Sequence, residues 1–246
     1  MSAIFLSDVH LRDSDSVKTK LVIRFLQEVA SQFEDIYILG DLFDVWPGTN
    51  AFLVQHFDSV LQALKCLVDR GHHLHYVEGN HDFRLGGYFS KELRIKVHPE
   101  MHEETWNGKR VLMMHGDLGN PRDLSYRLLR KALRADILHL AMKVIPDDFI
   151  FDVGLKSSRF SRGYQKKLPR NEAGIRQVYC RTAEKKFSKG YDVVLMGHTH
   201  LPDDVTTVIG NRSCRYINIG DWVQHFTYLE FDGTQFYTKT HPVKSL

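Results

Sequence analysis

The sequence predicts an α/β fold, and two features of the chain support this prediction. Short apolar runs alternate with longer segments of helical spacing in the first third of the chain. Each of these runs ends in a short polar signature that contains Asp, His or Asn. Alternating strands and helices form βαβ units, which build a largely parallel sheet whose carboxyl edge is the usual ligand site.

The first half of the chain supplies three strands and two helices. Residues 3–6 are wholly apolar and predict the first strand, whereas residues 17–33 carry apolar side chains at helical spacing. A second strand is expected at residues 36–39, a second helix at 52–70 and a third strand at 74–77. This order predicts two successive βαβ units.

The second half differs because a long insert separates its strands. Residues 110–114 predict a strand, and no strand pattern follows from about residue 118 to residue 190. The strand pattern resumes at 191–196 and continues as short β-like runs over 203–241. We therefore expect one domain over residues 1–246 with a helical insert at 118–190.

The insert is basic. Residues 124–145 predict a basic amphipathic helix, whose apolar side would pack either in a core or on a ligand. Residues 153–191 hold eleven Lys or Arg and two acids, a local charge of +9 in a chain whose net charge is +3. The rest of the chain is therefore acidic, which suits a site built from carboxylates.

Composition narrows the class of protein. A chain of 246 residues with 43% hydrophobic and 26% charged residues is typical of a water-exposed globular domain. Its three cysteines are far apart, which argues against a thiolate metal site and a disulfide framework. Neither a signal peptide nor a spanning segment is evident, so we expect a cytoplasmic protein. The basic insert also suits peripheral contact with the inner face of the cell membrane.

Five polar signatures follow strand-like runs and together predict a metal site. A lone D-x-H or G-H-x-H is most often a turn with a surface histidine, but five such signatures at strand ends are hard to obtain by chance. They are, in chain order, Asp8-Val9-His10, Gly40-Asp41-Leu42-Phe43-Asp44, Gly79-Asn80-His81-Asp82, His115-Gly116-Asp117 and Gly197-His198-Thr199-His200.

These side chains suffice for two divalent ions held about a phosphate, with Asp41 as the shared carboxylate. The expected ligands are Asp8, His10, Asp41 and His200 for one ion, and Asp41, Asn80, His115 and His198 for the other. His81 has no ligand role and is expected, with Asn80, to contact phosphate or to protonate a leaving oxygen. We expect Asp82 to orient the His81 ring, and Asp44 and Asp117 to accept from ligand histidines.

The signature set D-x-H, G-D-x-x-D, G-N-H-D, H-G-D and G-H-x-H resembles that of the calcineurin-like metallophosphoesterases, from Ser7 to about Asp221. The resemblance implies a two-sheet αββα sandwich flanked by helices, a dinuclear centre with the ligands above, and hydrolysis of phosphoric esters or anhydrides. Manganese is the expected metal, because no extra tyrosine ligand of the purple acid phosphatase kind is evident.

Within that superfamily, residues 37–46 (YILGDLFDVW) and 110–117 (RVLMMHGD) resemble the UDP-2,3-diacylglucosamine diphosphatases of lipid A synthesis. In that family the insert is a helical lid over the acyl chains, and an acid, a tyrosine and an arginine near the phosphates match Asp123, Tyr126 and Arg130. The implied products are UMP and the acylated sugar phosphate. A basic cluster that would grip phosphates or anionic lipid consists of Lys156, Arg159, Arg162, Lys166, Lys167 and Arg170.

One departure concerns His81, because the best-characterised branch of that family has arginine there. Histidine is the general state of the superfamily and permits attack on other phosphate esters or anhydrides. The alternative function is therefore a soluble nucleotide pyrophosphatase or phosphodiesterase. A protein phosphatase, a non-catalytic scaffold and a nucleic-acid enzyme are less favoured, and the oligomeric state is not indicated.

Overall fold

Two β-sheets packed face to face form the centre of the molecule, with helices on both outer faces. The structure is a computed structural model that describes residues 2–137, 140, 144–167 and 171–242, with the backbone alone for 159–167. The strands are β1 (Ala3–Leu6), β2 (Asp35–Ile38), β3 (His73–Val77), β4 (Lys96–His98), β5 (Met101–Trp106), β6 (Lys109–Met114), β7 (Val193–Met196), β8 (Asp203–Ile209), β9 (Arg212–Asn218), β10 (Thr227–Phe231) and β11 (Phe236–Thr240).

The described helices flank these sheets. They are α1 (Val17–Glu28), α2 (Ala51–His56), α3 (Asp58–Asp69), α4 (Gly86–Lys91), α5 (Leu124–Leu133), α6 (Asp147–Lys167) and α7 (Glu172–Phe187), with a 3₁₀ turn at Ala30–Gln32. No helix in the described part of the chain combines the length and the apolar character needed to cross a bilayer.

Each sheet is mixed. The first has the order β11-β10-β1-β2-β3-β4, in which β1 to β4 are parallel up to one edge, whereas β10 runs antiparallel to β1 and β11 runs antiparallel to β10. The second has the order β5-β6-β7-β9-β8, with β6, β7 and β9 parallel and both edge strands antiparallel to their neighbours. The expected α/β class and two-sheet sandwich are confirmed, and the largely parallel sheet is confirmed only in part, because each sheet also contains antiparallel strands.

Strand alternation builds the layers. In β1, Ala3 and Phe5 face the other sheet, whereas Ile4 and Leu6 face α1 and α3. In β7, Leu195 lies between the sheets and Met196 packs against α7. Because these strands are buried on both faces, they are wholly apolar, which is why the sequence alone identified them.

Several predicted boundaries are wrong. The helix expected at 52–70 is two helices, since the backbone at Phe57 is not helical (φ −107°, ψ 19°) and its ring packs 4.7 Å from that of Phe43. The helix expected at 17–33 ends at Glu28, before the 3₁₀ turn. Helix α4 and strands β4 and β5 were not predicted, because their residues are partly exposed and lack an apolar run.

The helix predicted at 124–145 ends at Leu133, and tertiary contacts explain why. Arg134 turns back toward the third signature, donating to Glu78 Oε2 (2.7 Å) and to the Gly79 carbonyl oxygen (2.8 Å). The Arg134 carbonyl oxygen accepts from Arg84 Nη2 at 2.6 Å. These bonds hold the backbone in a turn that an uninterrupted helix would not allow.

We expect Leu195→Ala to destabilise the fold, because Leu195 is fully buried between the sheets. Its replacement leaves a cavity and should lower the free energy of unfolding by about 2–5 kcal/mol. Denaturant unfolding followed by circular dichroism measures this change. The matched control is Leu128→Ala, whose side chain is 70% exposed and should change stability by less than about 0.5 kcal/mol. Equal losses of stability in the two variants would contradict the position of Leu195 between the sheets.

Candidate metal centre

The five signatures converge at the carboxyl ends of strands from both sheets. Strands β1, β2 and β3 of the first sheet lead to Asp8, Asp41 and Asn80, whereas β6 and β7 of the second lead to His115 and His198. The backbone joins these loops directly, since Asp8 N donates to the Gly40 carbonyl oxygen at 3.1 Å. The parallel centres of the sheets therefore bring together signatures that are distant in the chain.

One group of ligand atoms is formed by Asp8, His10 and His200. His10 Nε2 lies 3.3 Å from His200 Nε2, and Asp8 Oδ1 lies 3.5 Å from His200 Nε2 and 3.8 Å from His10 Nε2. The three ligand atoms all lie within 4.8 Å of one another. This is the first ligand set expected from the sequence, apart from its shared carboxylate.

A second group is formed by Asn80, His115 and His198. Asn80 Oδ1 lies 3.0 Å from His115 Nε2 and 2.9 Å from His198 Nδ1, and the two ring nitrogens are 3.3 Å apart. Asp41 lies between the groups, with Oδ2 3.4 Å from His115 Nε2 and 3.8 Å from His10 Nε2. This position suits a carboxylate shared by two ions.

The backbone is strained where these side chains are attached. Nine non-glycine residues have positive φ among the described residues, and five of them are expected ligands, a concentration typical of functional sites. The five are Asp8, His10, Asp41, His198 and His200, with φ from 54° to 67°. Tight packing maintains this strain, because a Cβ on Gly79 would collide with Asp41 Oδ1 and one on Gly197 with Ser7 Oγ.

Charge and burial prepare the groups for a cation. Burial lowers the pKa of His10 and lowers that of His198 to about 4, so both rings are neutral and keep a lone pair for a metal. Burial alone would raise the pKa of Asp41, but the neighbouring histidines, first His115, hold it well below its usual range. Asp41 therefore stays ionised in the interior.

A buried carboxylate oxygen without a hydrogen-bond partner tests whether the site fits a metal ion. Asp8 Oδ1 is buried and accepts no hydrogen bond within the described structure, although Asp8 Oδ2 accepts from His198 N at 2.7 Å. A buried carboxylate oxygen without a donor is costly, and a divalent ion would satisfy it. The mixed imidazole, carboxylate and amide donors suit borderline divalent ions.

Neighbouring acceptors orient the ligand rings. His10 Nδ1 lies 3.2 Å from Asp44 Oδ1, so the expected acceptor is adjacent to this ring. His115 Nδ1 lies 2.8 Å from the Leu39 carbonyl oxygen, and His200 Nδ1 lies 2.9 Å from Asp221 Oδ2. Sequence reasoning missed Asp221 as an orienting group. A Gly-Asp pair after a strand was the available signal.

The expected role of Asp82 is wrong. Its carboxylate is fully buried and accepts from the backbone N–H groups of Asp41 and Phe43 and from the Tyr76 hydroxyl. It thus fixes the Asp41 loop instead of the His81 ring. Burial, and then the charge of Asp41, raises the pKa of Asp82 to about 7. The His81 ring instead places Nδ1 2.8 Å from the Asp44 carbonyl oxygen.

The expected role of Asp117 is also wrong. Asp117 Oδ2 accepts from the Tyr126 hydroxyl at 2.7 Å and from Arg130 Nε at 2.6 Å, so it attaches helix α5 to the signature loop. Asp123 is the N-cap of α5, accepting from Tyr126 N at 2.9 Å. Tyr126 and Arg130 therefore lie beside the centre through Asp117.

The structure describes only one side chain of the predicted basic cluster. The side chain of Lys156 on α6 is exposed. The remaining side chains lie outside the described residues, and these are Arg159, Arg162, Lys166, Lys167 and Arg170.

Residues 1–202 match the family model described as calcineurin-like phosphoesterase. The chain belongs to the calcineurin-like phosphoesterase family. Its similarity extends to proteins named UDP-2,3-diacylglucosamine hydrolase. One from Stenotrophomonas maltophilia (strain K279a) is 30% identical, covering 94% of this chain and 95% of that one. Others from Aromatoleum aromaticum and Azotobacter vinelandii are 31% and 29% identical and cover 94% and 100% of those chains.

This calcineurin-like phosphoesterase should lose most bound metal in the variant Asp41→Asn. Asp41 is the carboxylate that lies between the two ligand groups, and the substitution removes its negative charge. After dialysis, the metal content should fall from two ions per chain toward none, and turnover should fall in parallel.

The matched comparison is His81→Ala, whose side chain is 27% exposed beside the centre. This variant should keep two ions and lose turnover by about 10²–10⁴-fold, as for removal of a proton-transfer group. Full activity and full metal content in Asp41→Asn would contradict its bridging position.

Proposed function

We propose that this protein hydrolyses the diphosphate of UDP-2,3-diacylglucosamine, giving UMP and 2,3-diacylglucosamine 1-phosphate. The full-length similarity to proteins named as hydrolases of that compound supports the substrate. The observation that carries the proposal is the apolar surface of the insert, which is exposed next to the metal centre.

This surface is concentrated in one part of the chain. Ten of the fifteen large apolar side chains that are exposed among the described residues fall between residues 124 and 153. Helix α5 buries none of its residues, so its apolar side does not belong to a core. Such a concentration marks a site for a partner or ligand. The ten are Leu124, Leu128, Leu129, Leu133, Ile137, Leu140, Val144, Ile145, Phe149 and Val153.

Contacts on two sides join the insert to the centre. Helix α5 is held by Asp117, two residues after the ligand His115, and Arg134 binds the backbone of the third signature. Helix α6 contacts the other side, where Ser158 Oγ donates to Asp44 Oδ1 at 3.0 Å. A substrate with its diphosphate at the centre would therefore have its acyl chains within reach of the apolar surface.

The residues at the centre divide the chemistry between them. Two bound divalent ions, for which we propose manganese, would activate water and offset the charge on the phosphates. His81 donates through Nδ1 to the Asp44 carbonyl oxygen, which orients the ring, and in the imidazolium form its Nε2–H would donate to a phosphate oxygen or to the leaving group. Asn80, Tyr126, Arg130 and Lys156 are proposed phosphate contacts.

The exposed apolar surface of the insert also helps to choose between the two candidate functions and to propose where the protein acts. A soluble nucleotide pyrophosphatase would use the same centre but leave the apolar side chains of the insert without a ligand. We therefore favour the acylated substrate. An acylated substrate resides in a lipid surface, so we also propose peripheral contact of the insert with the cytoplasmic face of the membrane.

Product analysis tests the proposal. Manganese-loaded protein is offered detergent-dispersed UDP-2,3-diacylglucosamine beside UDP-sugars, dinucleotides and cyclic nucleotides. We expect UMP from the lipid substrate alone, and no UMP in Asp41→Asn. Turnover of the soluble compounds with the lipid left intact would contradict the proposed substrate while leaving the metal centre in place.

A matched pair of variants isolates the apolar surface. Leu128→Asn should raise KM for the lipid about tenfold, since burying a leucine side chain contributes about 1.5–3 kcal/mol. Hydrolysis of a soluble nitrophenyl phosphodiester should not change. The control Val208→Asn alters a side chain on β8 that is similarly exposed (69%, against 70% for Leu128) and should affect neither substrate. An unchanged KM for the lipid in Leu128→Asn would contradict acyl-chain binding by α5.

A further inference from the structure

A second cluster of histidines lies away from the signature loops, where the chain crosses from one sheet to the other. His75 is on β3, His98 on β4 and His102 on β5, and the β4–β5 connection joins the edges of the two sheets. One ring nitrogen from each lies within 4.8 Å of those of the other two. None of the three belongs to a phosphoesterase signature.

The spacing of two of these rings suits one metal ion. His98 Nε2 lies 3.3 Å from His75 Nδ1. Two nitrogens bound tetrahedrally to zinc at about 2.0–2.1 Å are about 3.4 Å apart. The ring of His102 is stacked on that of His98 with centroids 4.0 Å apart, and one of its nitrogens lies within 4.8 Å of the ligand atoms of the other two residues.

The two more buried rings have the protonation state that a metal requires. Burial lowers the pKa of His75 to about 3 and that of His98 to about 4. Both rings are therefore neutral at physiological pH. His98 Nε2 and His75 Nδ1 share a hydrogen bond, so one of them carries the proton, and both bind an ion once that proton is on the other nitrogen of its ring.

Groups around the cluster complete a metal environment. Glu104 Oε1 lies 2.8 Å from His102 Nε2, an arrangement in which the carboxylate orients the ring and leaves Nδ1 for an ion. The Tyr37 ring packs 4.7 Å from that of His75, and its buried hydroxyl has no hydrogen-bond partner within the described structure. Besides burial, the nearby charge of Lys96 contributes to the lowered pKa of His75 and so favours the neutral ring.

We propose that His75, His98 and His102 bind one transition-metal ion of the zinc class, separate from the dinuclear centre. Three imidazoles with an adjacent carboxylate suit Zn²⁺, Co²⁺ or Ni²⁺, whereas Mg²⁺ and Ca²⁺ prefer oxygen ligands. The ion would tie the edge of the first sheet to that of the second and so stabilise the sandwich. His102, with a side chain 17% exposed, gives the ion access from solvent.

Zinc stoichiometry tests the proposal. The full chain is equilibrated with excess Zn²⁺, dialysed and analysed for metal, for wild type and for the variants His98→Gln and His102→Gln. Each variant should hold one zinc per chain fewer than wild type and should keep its phosphoesterase turnover. The control His72→Gln removes a nearby histidine whose Nδ1 lies 2.8 Å from the Phe33 carbonyl oxygen, outside the cluster, and should hold as much zinc as wild type.

Thermal unfolding supplies an independent readout. In an Asp41→Asn background, from which the dinuclear centre has been removed, Zn²⁺ should still raise Tm, because a ligand that binds only the folded state stabilises it. The added change His98→Gln should abolish that rise, and Mg²⁺ should cause none. Equal zinc content in wild type and both cluster variants, or a rise in Tm that survives His98→Gln, would overturn the proposal. Retained turnover shows that the variants are folded.

Discussion

The buried charge of Asp41 is the interaction on which the rest of the structure depends. A carboxylate in the interior is costly unless it is paired, and the pairing here comes from histidines on both sheets. His81 belongs to a loop of the first sheet and His115 to a loop of the second. The charge therefore makes the packing of one sheet on the other part of the site itself.

The architecture accepts local strain to maintain this arrangement. The left-handed backbone at five expected ligands is unfavourable for residues with a Cβ, and it persists because the surroundings leave no other conformation. Asp82 illustrates the support: it uses its buried carboxylate to bind the backbone of the Asp41 loop. The glycines of the signatures admit these close approaches, so glycine and ligand form one structural unit.

The insert follows a different principle. Its first helix, α5, buries none of its residues and is attached to the centre by the polar contacts of Tyr126, Arg130 and Arg134 instead of by a core. Attachment through polar side chains leaves the apolar side of α5 exposed beside the catalytic loops. A surface of this kind is unfavourable in water and becomes favourable when an apolar ligand covers it. Stability thus favours burial of apolar side chains between and around the sheets, whereas the proposed function requires an exposed apolar surface on α5.

The sequence by itself determined the strands that are buried on both faces, the α/β class and the set of candidate ligand side chains. These features are local, because a short apolar run ending in a polar signature is visible without knowledge of its neighbours. Strands β4 and β5 escaped prediction because their residues are partly exposed and lack an apolar run.

Only the tertiary structure decided which acceptor serves which group. Asp82 and Asp117 stand next to histidines in sequence, but their carboxylates turn toward the Asp41 loop and helix α5. Asp221, far along the chain, is the group that orients His200. Hydrogen-bond direction depends on how loops from separate strands pack together, and nearness in sequence does not specify it. The cluster of His75, His98 and His102 arises for the same reason, because the crossing between sheets brings its rings together.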